Sequence, residues 1–98
     1  MTTLVDIGSL IIQTPDIRRG HPRIAGTGVV VQRVVGWYKL GLSPEEITDR
    51  FGHLTLAQVH AALAYYHANQ IALEKIMFEE EANADRLESE YLSTHNNS

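Results

Sequence analysis

The side chains best suited to chemistry in this sequence are four basic residues crowded into one short loop. Arg18, Arg19, His21 and Arg23 fall within six positions, together with a glycine and a proline. Arginine donates paired hydrogen bonds to phosphate, and glycine lets a backbone approach closely. The loop is interpreted either as a phosphate-contacting arm or as an ordinary solvated loop. The sequence contains no Walker pattern, so a nucleotide-binding loop is not expected.

A second set of polar side chains lies on one face of a predicted helix over residues 56–68. Gln58 could pair with adenine and Tyr65 could hold a phosphate, but the segment contains no Lys or Arg for electrostatic attraction to DNA. The helix is therefore either a recognition helix or a plain packing helix. The residues that would contact DNA are six in all: Arg18, Arg19, Arg23, Arg33, Gln58 and Tyr65.

The remaining chemistry-bearing residues do not form a recognisable catalytic set. His60 and His67 are seven positions apart, which separates them by roughly 10 Å along a helix and prevents them from sharing a metal ion. Paired-carboxylate and nucleophile motifs are absent from the sequence. We therefore expect no enzyme activity, no cofactor and no metal.

Two helix-capping signals indicate how these side chains are positioned. Ser43, followed by Pro44 and by Glu46 three residues on, forms a capping box, and Thr55 with Gln58 repeats it. A short turn containing Gly52 separates the two predicted helices. This order of helix, turn and helix predicts a helix-turn-helix.

The flanking segments predict a mainly α fold with a short N-terminal β element. Residues 10–12 predict a strand, residues 26–28 a turn, and residues 29–31 a strand or the start of a helix. Apolar spacing predicts a helix that Gly41 ends, with Trp37 in the core or at an interface. The predicted core residues of the helices are Val31, Val34, Val35, Tyr38, Ile47, Phe51, Leu54, Leu56, Val59, Leu63 and Tyr66.

Composition limits the class of protein. The chain has 98 residues and no cysteine, and it contains no apolar run of the roughly 18 residues that a membrane span needs. One compact, cytoplasmic domain without a signal peptide is expected. Residues 1–54 hold six basic and five acidic residues, whereas residues 55–98 hold two and seven, so the net charges are +1 and −5. The front half could meet a polyanion, which the back half would repel.

The C-terminal third predicts a long acidic helix. Apolar residues from Leu73 to Tyr91 recur at helical spacing, with Glu80 interrupting them. We expect a helix-turn-helix domain over residues 1–80, an acidic helix over 70–92 and a disordered tail over 93–98. The Trp37 region and the apolar residues of the long helix also predict a homodimer.

Several short motifs taken together resemble the domain-of-unknown-function 433 family over roughly residues 9–80. The matching motifs are Pro15-Asp16-Ile17, Gly20-His21-Pro22-Arg23-Ile24-Ala25-Gly26-Thr27, Gly36-Trp37-Tyr38, Gly41-Leu42-Ser43-Pro44-Glu45-Glu46-Ile47, Leu54-Thr55-Leu56-Ala57-Gln58-Val59 and Ala62-Leu63-Ala64-Tyr65-Tyr66. One departure is Gly28, because the family commonly carries Arg after the Gly-Thr pair.

The resemblance implies a homeodomain-like or winged helix-turn-helix and an antitoxin that binds a PIN-like ribonuclease toxin and operator DNA. Because a ribonuclease presents positive charge to RNA, the acidic helix is the expected toxin-binding element beyond Glu81, while residues 73–80 either bind the toxin or complete the domain's own core. Its expected contact residues are Leu73, Ile76, Met77, Glu80, Arg86 and Leu87. The alternative is a homo-oligomeric adaptor whose degenerate helix-turn-helix does not bind DNA.

Overall fold

The fold is mainly helical, as the sequence predicts. The structure is a computed structural model that describes residues 4–95, with side chains described as far as Asn83. A two-stranded sheet precedes four helices in the chain. The elements are β1 (Ile11–Ile12), β2 (Arg23–Ile24), α1 (Val31–Lys39), α2 (Pro44–Phe51), α3 (Leu56–Ala68) and α4 (Gln70–His95).

The N-terminal hairpin is shorter than predicted because a local turn forms in front of it. In the antiparallel pair, Ile11 lies opposite Ile24. Residues 7–10 form a 3₁₀ turn instead of extending the strand. Asp6 starts this turn, since its Oδ1 accepts a hydrogen bond of 3.0 Å from the Gly8 N–H. Both interpretations of residues 29–31 hold in part, because Val30 bridges to the second strand and α1 begins at Val31.

The hydrophobic core lies among the first three helices and the hairpin. Its largest fully buried side chains are Ile24, Val31, Val34, Val35, Ile47 and Val59. The prediction of a core position was wrong for two residues, Leu56 and Tyr38, which are 40% and 38% exposed. Ala61, which is not among the predicted core residues, is buried as well. The reason is that the N-terminal segment packs along one side of α3, so the covered side of this helix is broader than a single stripe.

Both predicted capping boxes are present around the turn between α2 and α3. The Glu46 N–H donates to Ser43 Oγ over 3.2 Å, and the Ser43 N–H donates to Glu46 Oε1 over 3.0 Å. At α3, the Gln58 N–H donates to Thr55 Oγ1 and the Thr55 N–H donates to Gln58 Oε1, at 3.2 and 2.7 Å. Gly52 ends α2 with a φ of 74°, in the left-handed region that glycine tolerates best. These hydrogen bonds fix where each helix begins.

The acidic helix α4 belongs to a second compact unit, residues 69–98, which follows a first unit of residues 1–68. The helix continues to His95, three residues into the segment that the sequence predicted as a disordered tail. Residues 96–98 of that predicted tail lie outside the described residues. Among the described residues, no helix is both long enough and apolar enough to span a bilayer.

Candidate nucleic-acid and partner-binding surfaces

The basic loop projects two arginines from a strained backbone. Arg18 and Arg19 have φ values of 51° and 57°, followed by Gly20 at 73°. Left-handed geometry costs an L-residue roughly 1–2 kcal/mol, so these two positions are held by their surroundings. The Gly20 N–H donates to Ile17 O, and the His21 N–H donates to Arg18 O. Both arginines are exposed, which leaves them suited to phosphate contact.

Gly28 leaves room for the guanidinium of Arg18. A Cβ atom at position 28 would lie 2.8 Å from Arg18 Nη2. Gly28 is the position where the sequence departs from the family that it resembles, which commonly carries an arginine there. In this chain the guanidinium of Arg18 lies beside position 28, so a positive charge is present there without a side chain on residue 28.

Arg23 has a structural role in the same loop. It is partly buried, its Nη1 donates to Thr27 O over 2.9 Å, and its Nη2 donates to Thr14 Oγ1 over 3.2 Å. These bonds join the two sides of the hairpin loop. Arg23 was predicted to contact phosphate, but the terminal nitrogens that would do so already donate hydrogen bonds within the loop.

The two polar residues predicted to read DNA from α3 do not lie on its most exposed side. Gln58 is half-buried and its Oε1 completes the helix cap. Tyr65 is also half-buried and lines an apolar groove of about 280 Å³ with Ile7, Ile11 and alanines of α3. The exposed side of α3 consists of Leu56, Ala57, His60, Ala64, His67 and Ala68. That side offers small residues and two imidazoles instead of cations.

The two histidines of α3 differ in surroundings. His60 is exposed, whereas the ring of His67 lies edge-on to Tyr38 at 5.7 Å and tilted against Tyr66 at 5.2 Å. In the part of the chain that the structure describes, no three His, Cys, Asp or Glu residues are grouped as a metal site requires.

Helices α1 and α2 together present two arginines stacked on aromatic rings. The Arg33 guanidinium carbon lies 5.2 Å from the centroid of Phe51, and that of Arg50 lies 5.1 Å from the centroid of Trp37. We call these four residues the arginine–aromatic face. Both arginines are exposed and both rings are half-buried. Stacking orders a guanidinium while leaving its N–H groups available to an anion.

Arg50 was missed as a binding residue by sequence reasoning. The sequence pattern that could have identified it is an arginine near an aromatic residue in each helix. Arg50 directly precedes Phe51 at the end of α2, and Arg33 lies one turn before Trp37 in α1. The crossed pairing between the helices requires the packing of α1 on α2. Trp37, predicted to lie in the core or at an interface, is half-buried.

Glu46 is the one titratable group of the capping boxes, and its pKa is lowered. The main cause is the hydrogen bond from the Ser43 backbone N–H, followed by the bond to the Ser43 side chain and the positive charge of Arg50. A carboxylate that accepts such bonds is stabilised in its charged form. The cap at the start of α2 is therefore strongest when Glu46 is ionised.

The residues predicted to bind a partner from α4 are unequally exposed. Leu73 is buried, while Ile76, Met77 and Glu80 are half-buried. The side chains of Arg86 and Leu87 lie outside the described residues. Sequence reasoning missed Ile71 and Phe78, which are 89% and 73% exposed. At 3.6 residues per turn, these two lie on the side of the helix opposite to Leu73 and Ile76.

Comparison with known proteins places this architecture in a family. The family model described as "Protein of unknown function (DUF433)" matches residues 11–66, which include the hairpin and the first three helices except the last residues of α3. No curated protein matches the chain.

A solved structure supports the same assignment. The crystal structure of a DUF433 member protein from Anabaena variabilis ATCC 29413, at 2.00 Å resolution, is similar with a TM-score of 0.63 and 27% sequence identity. The match covers 68% of this chain and 66%, just under two thirds, of that one. With a family model that spans the basic loop and the helix-turn-helix, and a solved member of the same fold, this chain belongs to the DUF433 family.

Proposed function

We propose that this protein is a cytoplasmic, non-enzymatic antitoxin of a type II toxin–antitoxin pair that binds operator DNA and neutralises a PIN-like ribonuclease. The observation that carries the proposal is the separation of charge between two structural units. Residues 1–68 contain six basic and five acidic residues, a net charge of +1. Residues 69–98 contain two basic and seven acidic residues, a net charge of −5. One unit can therefore approach a polyanion while the other is suited to a basic partner.

The DNA-binding part of the proposal uses the capped helix-turn-helix and the basic loop. Arg18 and Arg19 are exposed and would supply phosphate contacts. The exposed small residues of α3 would allow close approach to a groove, with the exposed His60 as a polar reader. Because α3 has no Lys or Arg, affinity would depend on the loop and would be modest.

The toxin-binding part of the proposal uses α4. Glu79 and Glu81 are exposed and Glu80 is half-buried, so the helix presents consecutive carboxylates near apolar Ile76 and Met77. A ribonuclease must attract RNA with positive charge, and acidic residues on a helix can occupy that surface by electrostatic attraction. The apolar residues would then slow dissociation, as in other helix-in-groove complexes.

The neutral face of α3 favours a second function, a homo-oligomeric adaptor that does not bind DNA. Leu56, Ala57 and Ala64 are exposed there, and alanines let helices approach each other closely. Binding to the DNA upstream of the protein's own gene separates the two functions. Affinity measured by fluorescence anisotropy should exceed that for a scrambled duplex, and equal affinity for both would favour the adaptor.

The salt dependence of that binding tests the loop. Arg18→Ala with Arg19→Ala should flatten the slope of log affinity against log salt by up to about 2 per chain, at roughly 0.9 for each lost phosphate contact. The charge-conserving control, Arg18→Lys with Arg19→Lys, should keep most of the slope. An unchanged slope in the alanine variant would place the DNA surface elsewhere.

Co-expression with the protein encoded beside it tests the toxin-binding part. The full chain should co-purify with that protein and abolish its ribonuclease activity. Deletion of residues 82–98 should weaken neutralisation while leaving the fold of residues 1–68 intact, which circular dichroism would verify. Full neutralisation by this shortened, folded chain would refute the role of α4 beyond Glu81.

A further inference from the structure

We infer that the arginine–aromatic face of one copy binds the acidic helix α4 of a second copy. The partner is identified by charge and by apolar surface. Arg33 and Arg50 offer two ordered cations beside the rings of Phe51 and Trp37. A complementary surface needs carboxylates beside an apolar side chain.

Helix α4 carries that combination around Phe78, because Glu79 and Glu81 flank that ring by about 100° on one side and about 60° on the other around the helix axis. Phe78, 73% exposed, directly precedes Glu79, and both line a shallow depression of about 360 Å³ with Ala82 and Asn83. Glu79 and Glu81 are both exposed. The helix as a whole has seven acidic and two basic residues, a net charge of −5. Phe78 could cover the rings while Glu79 and Glu81 pair with the guanidinium groups.

The acidic residues of α2 do not remove this attraction. Glu46 lies one turn before Arg50, but its Oε1 already accepts the Ser43 N–H over 3.0 Å as part of the helix cap. Asp49 is exposed, which leaves its charge well screened by solvent. The stacked geometry of Arg33 and Arg50 reduces the conformational entropy that an ion pair with long side chains normally loses.

The apolar residues of the proposed contact lie on a side of α4 different from those expected to bind a toxin. Ile71 and Phe78 lie opposite to Leu73 and Ile76 around the helix axis. Glu79 and Glu81 belong to both proposed surfaces, so a second copy and a ribonuclease would compete for these two carboxylates. Each copy has one arginine–aromatic face and one acidic helix, so a symmetric dimer would contain the contact twice.

Charge reversal on each side tests the pairing in the full chain. Arg33→Glu with Arg50→Glu places carboxylates opposite Glu79 and Glu81, and Glu79→Lys with Glu81→Lys places ammonium groups opposite Arg33 and Arg50. Each double variant alone should raise the dimer dissociation constant by about 100-fold, because juxtaposed like charges strongly oppose association. Mixing the two double variants should restore dimerisation, since every contact in the mixed dimer then pairs opposite charges.

Sedimentation equilibrium across a range of protein concentrations measures these constants, with circular dichroism to verify helix content. Arg18→Glu with Arg19→Glu is the matched control, because it changes the net charge equally but leaves both surfaces intact. Phe78→Ser should weaken the dimer while leaving its salt dependence unchanged.

The outcomes separate this contact from the homodimer on which it rests. If both charge-reversed variants still dimerise, the homodimer stands and the proposed contact is refuted. The contact is also refuted if both variants are monomeric and fail to associate when mixed. A wild-type chain that stays monomeric at all concentrations would refute both.

Discussion

Alanine at Gly52 and alanine at Gly36 should change stability in opposite directions. Gly52 ends α2 with a φ of 74°, whereas Gly36 lies inside α1 with helical geometry. At both positions an added Cβ atom meets no described atom within 4 Å. The two substitutions therefore differ in backbone conformation rather than in steric contact, which makes each the control for the other.

The magnitudes follow from that difference. Left-handed geometry costs an L-residue roughly 1–2 kcal/mol, so Gly52→Ala should lower the free energy of unfolding by that amount. Glycine inside a helix is roughly 0.5–1 kcal/mol worse than alanine, so Gly36→Ala should raise it. In a domain of this size, 1 kcal/mol shifts Tm by about 4–8 °C. Gly52→Asn should lower the free energy of unfolding by less than Gly52→Ala, because asparagine tolerates the left-handed region.

Thermal and urea unfolding followed by circular dichroism would measure both effects. The urea midpoint should move while the slope stays constant, which would show that only stability has changed. If Gly52→Ala were as stable as the wild type, the turn between α2 and α3 would not hold its left-handed residue at position 52. The helix-turn-helix geometry derived from that turn would then be incorrect.

Three further substitutions test the core, the helix cap and the basic loop. Ile47→Ala should lower the free energy of unfolding by about 2–5 kcal/mol because Ile47 is fully buried, while Leu4→Ala at an exposed position should change it by less than about 0.5 kcal/mol in the same urea titration. Ser43→Ala removes the side-chain cap of α2 and should lower the free energy of unfolding by about 0.5–2 kcal/mol at neutral pH. The pKa of Glu46 in the folded state is below its ordinary value of 4.5, so its contribution to stability is present above that value and disappears as the pH falls through the folded-state pKa. The difference in the free energy of unfolding between wild type and Ser43→Ala should therefore shrink in unfolding curves measured in acid. Gly28→Ala should displace the flexible end of Arg18 and weaken DNA binding with little change in Tm, and unchanged affinity would argue against a phosphate contact by Arg18.

Local signals predicted the helices well because their information is contained in a few adjacent residues. The capping box at Ser43 and Glu46 depends on residues three apart, so the start of α2 could be read directly, and the same holds for Thr55 and Gln58 at α3. Apolar spacing likewise identified Val34, Val35 and Val59 as core residues.

Errors arose where distant segments decide the environment of a side chain. Ala61 is buried because the N-terminal segment packs on α3, and no pattern within α3 reports that contact. Arg23 was grouped with Arg18 and Arg19 by proximity in the chain, yet its bonds to Thr14 and Thr27 depend on how the loop closes. The stacking of Arg50 on Trp37 similarly requires α1 and α2 to be packed.

The limited number of free cations connects DNA binding to self-association. If Arg18 and Arg19 each neutralise one phosphate, a single chain would lose only about 10-fold in affinity between 50 and 200 mM salt, which corresponds to weak electrostatic attraction. A dimer with four such contacts would lose about 150-fold over the same range. Because α3 itself contributes no Lys or Arg, operator binding in this protein should therefore require the dimer. Phe78→Ser, which weakens the proposed contact without changing any cation, should lower DNA affinity together with self-association.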